Sequence, residues 1–220
     1  MIYQSNVELL GDFPSFTQQE IREEQSQARV PVEEAVTGGP IHKAFVEHLP
    51  NEWRDDPSVE IFSRVLYLKQ GWYPLTPHFH FDWGNRSHAN RIQTLMVCLG
   101  DASLTEFILG PLEVLSEPGT VDQRVPWDSL VQEGLSRGEL ESWRIEPGKM
   151  ILFDNQTLHR ARPATKSGWR LLLRAIRGFS DSGDRNGGGS YGNPGRFATC
   201  RNGYVPETEE ERARYRVYQD

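Results

Sequence analysis

The feature that most constrains this chain is the segment Gly168-Trp169-Arg170-Leu171-Leu172-Leu173-Arg174-Ala175-Ile176-Arg177-Gly178. Successive side chains of a strand point to opposite faces. Period-2 alternation therefore puts Arg170, Leu172, Arg174 and Ile176 on one face, and Trp169, Leu171, Leu173, Ala175 and Arg177 on the other. Two arginines among apolar neighbours are costly to bury without anionic partners. Whatever fold contains this strand must therefore offer its arginines an anion.

Other strands surround it. Val59 to Leu68 is rich in β-branched and aromatic residues and ends at Gly71, so the sheet begins at Val59. Arg91 to Leu99 has an apolar second half closed by Gly100-Asp101, as in strands covered on both faces. Leu104 to Gly110 is a shorter strand, and Met150 to Phe153 is a buried one that follows the tight turn Glu146-Pro147-Gly148.

Between these strands lies Thr76-Pro77-His78-Phe79-His80-Phe81-Asp82-Trp83. In an extended segment His80 and Asp82 present an imidazole and a carboxylate to the same side. His159, behind the turn at Asp154-Asn155, brings a second imidazole from another strand. Two histidines and one carboxylate on one face of an ion leave about three positions open, the arrangement of non-haem Fe(II) oxygen chemistry. Zinc prefers a tetrahedral site. His78 shares the alternation of His80 and can line the same cavity. His78-x-His80 also resembles the first ligand pair of a cupin, but Gly84-Asn85 stand where a cupin needs its glutamate. His42 and His48 have no partner at ligand spacing and read as structural or surface residues.

His80-x-Asp82, then His159 within Pro147 to Arg162, then Arg170 on an apolar strand, together resemble the Fe(II)- and 2-oxoglutarate-dependent dioxygenases over about Tyr67 to Arg177. The resemblance implies a mainly β double-stranded β-helix, or jelly-roll, with flanking helices. It implies Fe(II) on His80, Asp82 and His159, and 2-oxoglutarate on the iron and on Arg170, whose planar fork can hold a carboxylate through two hydrogen bonds. Arg91 is either a second contact to the co-substrate or a surface arginine, and Thr105 is a candidate hydrogen-bond donor to it. Arg174 meets either an acidic group of the substrate or a salt-bridge partner on another strand, and Trp83 flanks the pocket. O2 would be consumed and succinate and CO2 released. Because halogenating relatives lack the carboxylate, Asp82 favours hydroxylation or a related oxidation. The rival reading is a cupin-like metal-dependent isomerase or binding protein that uses His78, His80 and His159 without 2-oxoglutarate.

At 220 residues, 37% hydrophobic and 10% aromatic, the chain suits one sizeable core. The expected organisation is a single domain: helical and loop support over 1–58, a jelly-roll over 59–178 with an insertion at 117–141, and a Gly-rich loop and terminal helix over 179–220. Thr17 and Glu20 form a capping signature for a helix start, and Asp128 to Leu135 reads as a short helix in the insertion, which is either a lid or a packed loop. A net charge of −7 argues against a general binder of duplex nucleic acid. Cys98 and Cys200 form no Cys-x-x-Cys pair, so neither a disulfide framework nor a thiolate zinc site is expected. No apolar run approaches a membrane span, and the N-terminus lacks the pattern of a signal peptide, so cytoplasmic residence is the default. Arg160, Arg162, Arg174 and Arg177 point toward a small anionic or amino-acid-like substrate.

Overall fold

The structure, a computed structural model, describes residues 2–75, 77–82, 92–113 and 124–178. Its elements run β1 (Ile2–Gln4), β2 (Val7–Asp12), α1 (Gln18–Glu23), β3 (Val30–Pro31), α2 (Val32–Ala35), α3 (Pro40–His48), α4 (Asn51–Arg54), β4 (Glu60–Leu68), β5 (Gln93–Leu99), β6 (Thr105–Leu109), β7 (Pro111–Glu113), α5 (Arg124–Ser136), β8 (Glu141–Arg144), β9 (Lys149–Asp154), β10 (His159–Ala161) and β11 (Gly168–Arg177). The larger sheet is ordered β2-β9-β5-β11-β4-β3 and the smaller β10-β6-β8, with every pairing antiparallel. A bridge between His80 and His159 adds the first ligand segment to the edge of the smaller sheet.

From β4 onward the chain passes back and forth between the two sheets, except that β6 and β8 follow one another in the smaller sheet, with β7 between them paired to β1. β4, β5, β9 and β11 lie in the larger sheet, while the His80 segment, β6, β8 and β10 lie in the smaller. This winding of two facing antiparallel sheets is the jelly-roll, or double-stranded β-helix. The arginine-bearing β11 occupies the middle of the larger sheet, paired with β4 on one side and β5 on the other. That central place explains its aliphatic density, since both of its faces are covered.

Three apolar layers follow from strand alternation. Met96, Cys98, Ile151, Phe153 and Leu172 of the larger sheet meet Phe107 of the smaller, filling the space between the sheets. The other face of the larger sheet, with Ile61, Val65, Leu95, Val97, Leu171 and Leu173, packs on Ile21, Ile41, Phe45 and Trp53 of the N-terminal helices. On the outside of the smaller sheet, Phe79, Ile108 and Leu158 pack on Trp127 and Val131 of α5. The Asp128–Leu135 helix of the sequence reading is thus longer, spanning Arg124–Ser136, and the partner a short helix requires is this outer face.

The polar N-terminal stretch contributes more strand than its sequence suggests. β2 is an edge strand on β9, with a register shift between Leu9 and Gly11, and Leu9 and Leu10 are exposed. From Glu8 to Asp12 every residue of β2 is exposed, so neither face imposes clean alternation or an apolar run. α1 forms where Thr17 and Glu20 predicted it, with both capping-box hydrogen bonds present. His42, read as structural, is fully buried in a polar link between layers. Its Nδ1 pairs with the Glu24 carboxylate, and its Nε2 lies 2.7 Å from Ser63 Oγ on β4. Glu24 also accepts from the Ile41 amide at 2.7 Å, and a Cβ on Gly39 (φ +136°) would sit 2.5 Å from Glu24 Oε1.

Among the described residues no helix is long and apolar enough to cross a membrane. The Gly-rich 180–195 segment and the expected C-terminal helix lie outside the described residues.

On the outer face of the smaller sheet, Glu106 accepts from Arg160 Nε at 2.6 Å and from Ser142 Oγ at 2.6 Å, with Arg162 Nη1 at 3.5 Å. Burial works to raise the Glu106 pKa, but the Ser142 hydrogen bond and the arginines outweigh it and hold the carboxyl below its usual range. A group lowered in the folded state stabilises fully above its unfolded pKa, about 4.3 for Glu, and that contribution fades as pH falls toward the folded value. Glu106→Ala should cost about 3–5 kcal/mol at neutral pH, because it breaks a buried ion pair by removing the carboxylate that Arg160 donates to. Urea unfolding from pH 7 to pH 3 should show the deficit shrinking on the acid side. A deficit independent of pH would contradict this account.

Candidate active site

His80, Asp82 and His159 come together. One ligand atom from each lies within 4.8 Å of the others, and they are the one such His/Cys/Asp/Glu group with a metal-holding arrangement among the described residues. Two backbone hydrogen bonds connect the histidines directly: His80 N to His159 O at 3.0 Å and His159 N to His80 O at 3.1 Å. Facing residues of an antiparallel pair point to the same side of the sheet. The two rings therefore stand side by side, with centroids 4.6 Å apart.

Each ring is oriented in the same way. His80 Nδ1 lies 2.9 Å from the carbonyl of His78, and His159 Nδ1 lies 3.0 Å from that of Thr157. A carbonyl only accepts, so both Nδ1 atoms carry the proton and both Nε2 atoms turn a lone pair toward Asp82. His80 Nε2 is 4.0 Å from Asp82 Oδ1, and His159 Nε2 is 3.5 Å from Asp82 Oδ2. Burial pushes the His159 pKa down to about 3, so the ring is neutral at any ordinary pH.

Asp82 is 2% exposed. Burial works to raise its pKa, but Arg174, whose Nη1 donates to Oδ2 at 2.7 Å, prevails with the help of the histidines and keeps the carboxyl ionised. Asp82 Oδ1 and His159 Nε2 are buried and make no hydrogen bond. Buried acceptors left empty are costly in a native structure. A cation between them would satisfy both, so the donor set fits a divalent metal held by two imidazoles and one carboxylate.

Arg170 lies in the same recess, which is lined by Phe62, Arg64, Thr105, Leu172 and Arg174 together with the two histidines. It is 3% exposed, donating from Nε to Ser103 O at 3.2 Å and from Nη2 to Thr105 Oγ1 at 3.3 Å. Two of the residues expected to bind co-substrate, Arg170 and Thr105, are thus in contact. Gly100 makes room on this strand: at φ +80° its Cβ would stand 2.1 Å from Trp169 O. Among the described residues Arg170 has no carboxylate within ion-pair distance, and neighbouring Cys98 does not serve as the anion, because burial raises its thiol pKa despite Arg170.

Several expected residues sit elsewhere. His78 does not line the recess: residues 77–82 form no continuous ladder, and its Nδ1 pairs with Asp128 Oδ2 of α5 at 2.5 Å. Arg174 takes the salt-bridge alternative, with Asp82 as its partner. Arg160 and Arg162 bind Glu106, and Arg177 binds Gln93 Oε1 at 2.6 Å, so three of the four arginines that pointed to an anionic substrate face away from the site. Arg91 and Trp83 lie outside the described residues. The sequence reading missed Arg64, although its alternation with Phe62 and Leu66 on β4 carries the signal.

No protein-family profile and no curated protein matches the chain. Solved structures resembling it include AviO1 from Streptomyces viridochromogenes Tue57, at 13% identity over 81% of this chain and 92% of that one, with a TM-score of 0.44. The non-heme alpha ketoglutarate dependent carbocyclase SnoK from nogalamycin biosynthesis superposes with a TM-score of 0.40 at 13% identity, over 80% and 93% of the two chains. EvdO2 from Micromonospora carbonacea var. aurantiaca, complexed with 2-oxoglutarate, gives 0.38 at 12% identity over 70% of each. Superpositions this loose carry no argument, and the assignment of the fold rests on the chain's own strand order.

Proposed function

We propose that this protein is an Fe(II)- and 2-oxoglutarate-dependent oxygenase acting on a small molecule, with hydroxylation as the outcome. The observation that carries the reading is Arg170: a buried guanidinium with no carboxylate partner among the described residues, in the same recess as two imidazoles that stand beside an ionised carboxylate. A buried cation calls for an anion. A dicarboxylate whose far end rests on Arg170 and whose keto acid end reaches the metal answers both needs at once.

In this reading His80, Asp82 and His159 hold the iron, which supplies O2 activation coupled to oxidation of the keto acid to succinate and CO2. Arg170 orients the co-substrate, and Thr105 steadies the Arg170 fork from below. Arg174 occupies Asp82 Oδ2, leaving Oδ1 as the oxygen available to the metal. Phe62, Pro74, Leu75 and Leu172 give the recess an apolar wall that limits water near the reacting carbon. The cupin-like alternative needs His78 as a ligand, and its ring belongs to Asp128 instead.

Protein loaded with Fe(II) and supplied with ascorbate as the two-electron reductant should convert 2-oxoglutarate to succinate slowly even without its proper substrate, consuming one O2 per succinate, and Asp82→Ala should not. Metal binding without any consumption of 2-oxoglutarate would return the weight to a cupin-like role.

A further inference from the structure

The helix of the insertion lies against the back of the metal site. Strand alternation turns His80 and His159 inward and their neighbours Phe79 and Leu158 outward, where both pack on Trp127 and Val131 of α5. The described part of the insertion therefore backs the ligand strands and does not cover the recess.

One residue of that helix reaches the ligand segment with both carboxylate oxygens. Asp128 is 2% exposed; its Oδ1 accepts from the Phe79 amide at 2.9 Å, and its Oδ2 pairs with His78 Nδ1 at 2.5 Å. These contacts fall on the two residues immediately before His80. On its strand side, the segment meets β10 through the His80–His159 bridge, a reciprocal pair of backbone hydrogen bonds, and meets β11 through the Arg174–Asp82 ion pair. A rotation of the segment about that bridge would swing the His80 ring and Asp82 out of register with His159. Two charge-assisted hydrogen bonds from one rigid helix residue fix that rotation.

We infer that Asp128 is a positioning residue for the metal centre: by holding His78 and Phe79 it sets the orientation in which His80 and Asp82 face His159, which makes the insertion helix part of the site. The inference rests on the reading of these three residues as metal ligands. Asp128 itself touches none of them through its side chain, so its effect is on geometry.

The test uses Co(II) as a spectroscopic probe on the full chain, with Asp128→Ala, Asp128→Asn and the packing control Val131→Ala. Val131 belongs to the same helix and touches the ligand segment through apolar packing alone, so its variant loosens α5 while leaving Asp128's hydrogen bonds to residues 78 and 79 in place. Asp128→Ala should bind Co(II) on the order of 10-fold more weakly, the lower end of what loss of an outer-sphere partner costs, with altered visible bands. In the metal-free protein the His80 and His159 amides should exchange faster with solvent. Asp128→Asn, keeping one acceptor of two, should fall between, and Val131→Ala should lose thermal stability while keeping the wild-type affinity and spectrum.

Should Asp128→Ala fail to fold, Asp128→Asn decides between the same results. Wild-type affinity and spectrum in the Asp128 variants, or an equal loss in Val131→Ala, would overturn the positioning role and leave the metal site intact. Absence of Co(II) binding to the wild type would overturn the metal reading with it.

Discussion

Arg170→Met should weaken 2-oxoglutarate binding between about 30-fold and several thousandfold, while leaving the metal-free protein as stable as the wild type or more so. The two effects have one cause. Truncating one partner of a buried, hydrogen-bonded charge pair costs about 2–5 kcal/mol, and each 1.4 kcal/mol is a factor of ten in affinity. Before the co-substrate arrives, however, Arg170 is a buried charge with no anionic partner among the described residues, and replacing such a charge by an apolar side chain of similar volume is often neutral or stabilising. Calorimetric titration with 2-oxoglutarate and thermal melts with and without it measure both. Ligand should raise the melting temperature of the wild type and not of the variant. A variant that binds as tightly as the wild type would show that the anion rests elsewhere.

His159→Ala should abolish metal binding in the working range, a larger loss than the roughly 10- to 100-fold that removal of an outer-sphere partner causes. The His80–His159 bridge is made by backbone atoms and survives the substitution, so the first ligand segment keeps its place. Removal of the ring also leaves a void beside Phe107 and Phe153, whose rings stand 5.3 Å from it. Metal-free stability should therefore fall as well. His159→Gln fills most of that space and separates the two effects. Retained tight binding in both variants would mean that His159 is a packed core histidine.

Much of this centre was legible in the sequence because its signals are local. Leu172 and the two arginines of β11 follow strict alternation, and His80 with Asp82 needs only an extended backbone to share a side. The same local rule misplaced His78, since residues 77–82 are held at one bridge and not by a continuous ladder. Partners from distant strands were not legible. Nothing near Arg174 in sequence names Asp82, and nothing near Arg160 names Glu106, since each pair is set by the register of strands far apart in the chain. β2 was missed for a different reason: an edge strand with exposed Leu9 and Leu10 lacks the pattern that burial imposes. The backing role of α5 was hidden too, because a helix packed on one sheet face has the same sequence pattern as a lid.

The most direct test of the central claim is anaerobic titration of the metal-free protein with Fe(II) and then 2-oxoglutarate, followed in the visible for the weak charge-transfer band of an iron-chelated keto acid. The account predicts the band in the wild type, its loss in His159→Ala, and its weakening in Arg170→Met at the co-substrate concentration that just saturates the wild type. Iron binding with no band at any 2-oxoglutarate concentration would contradict it.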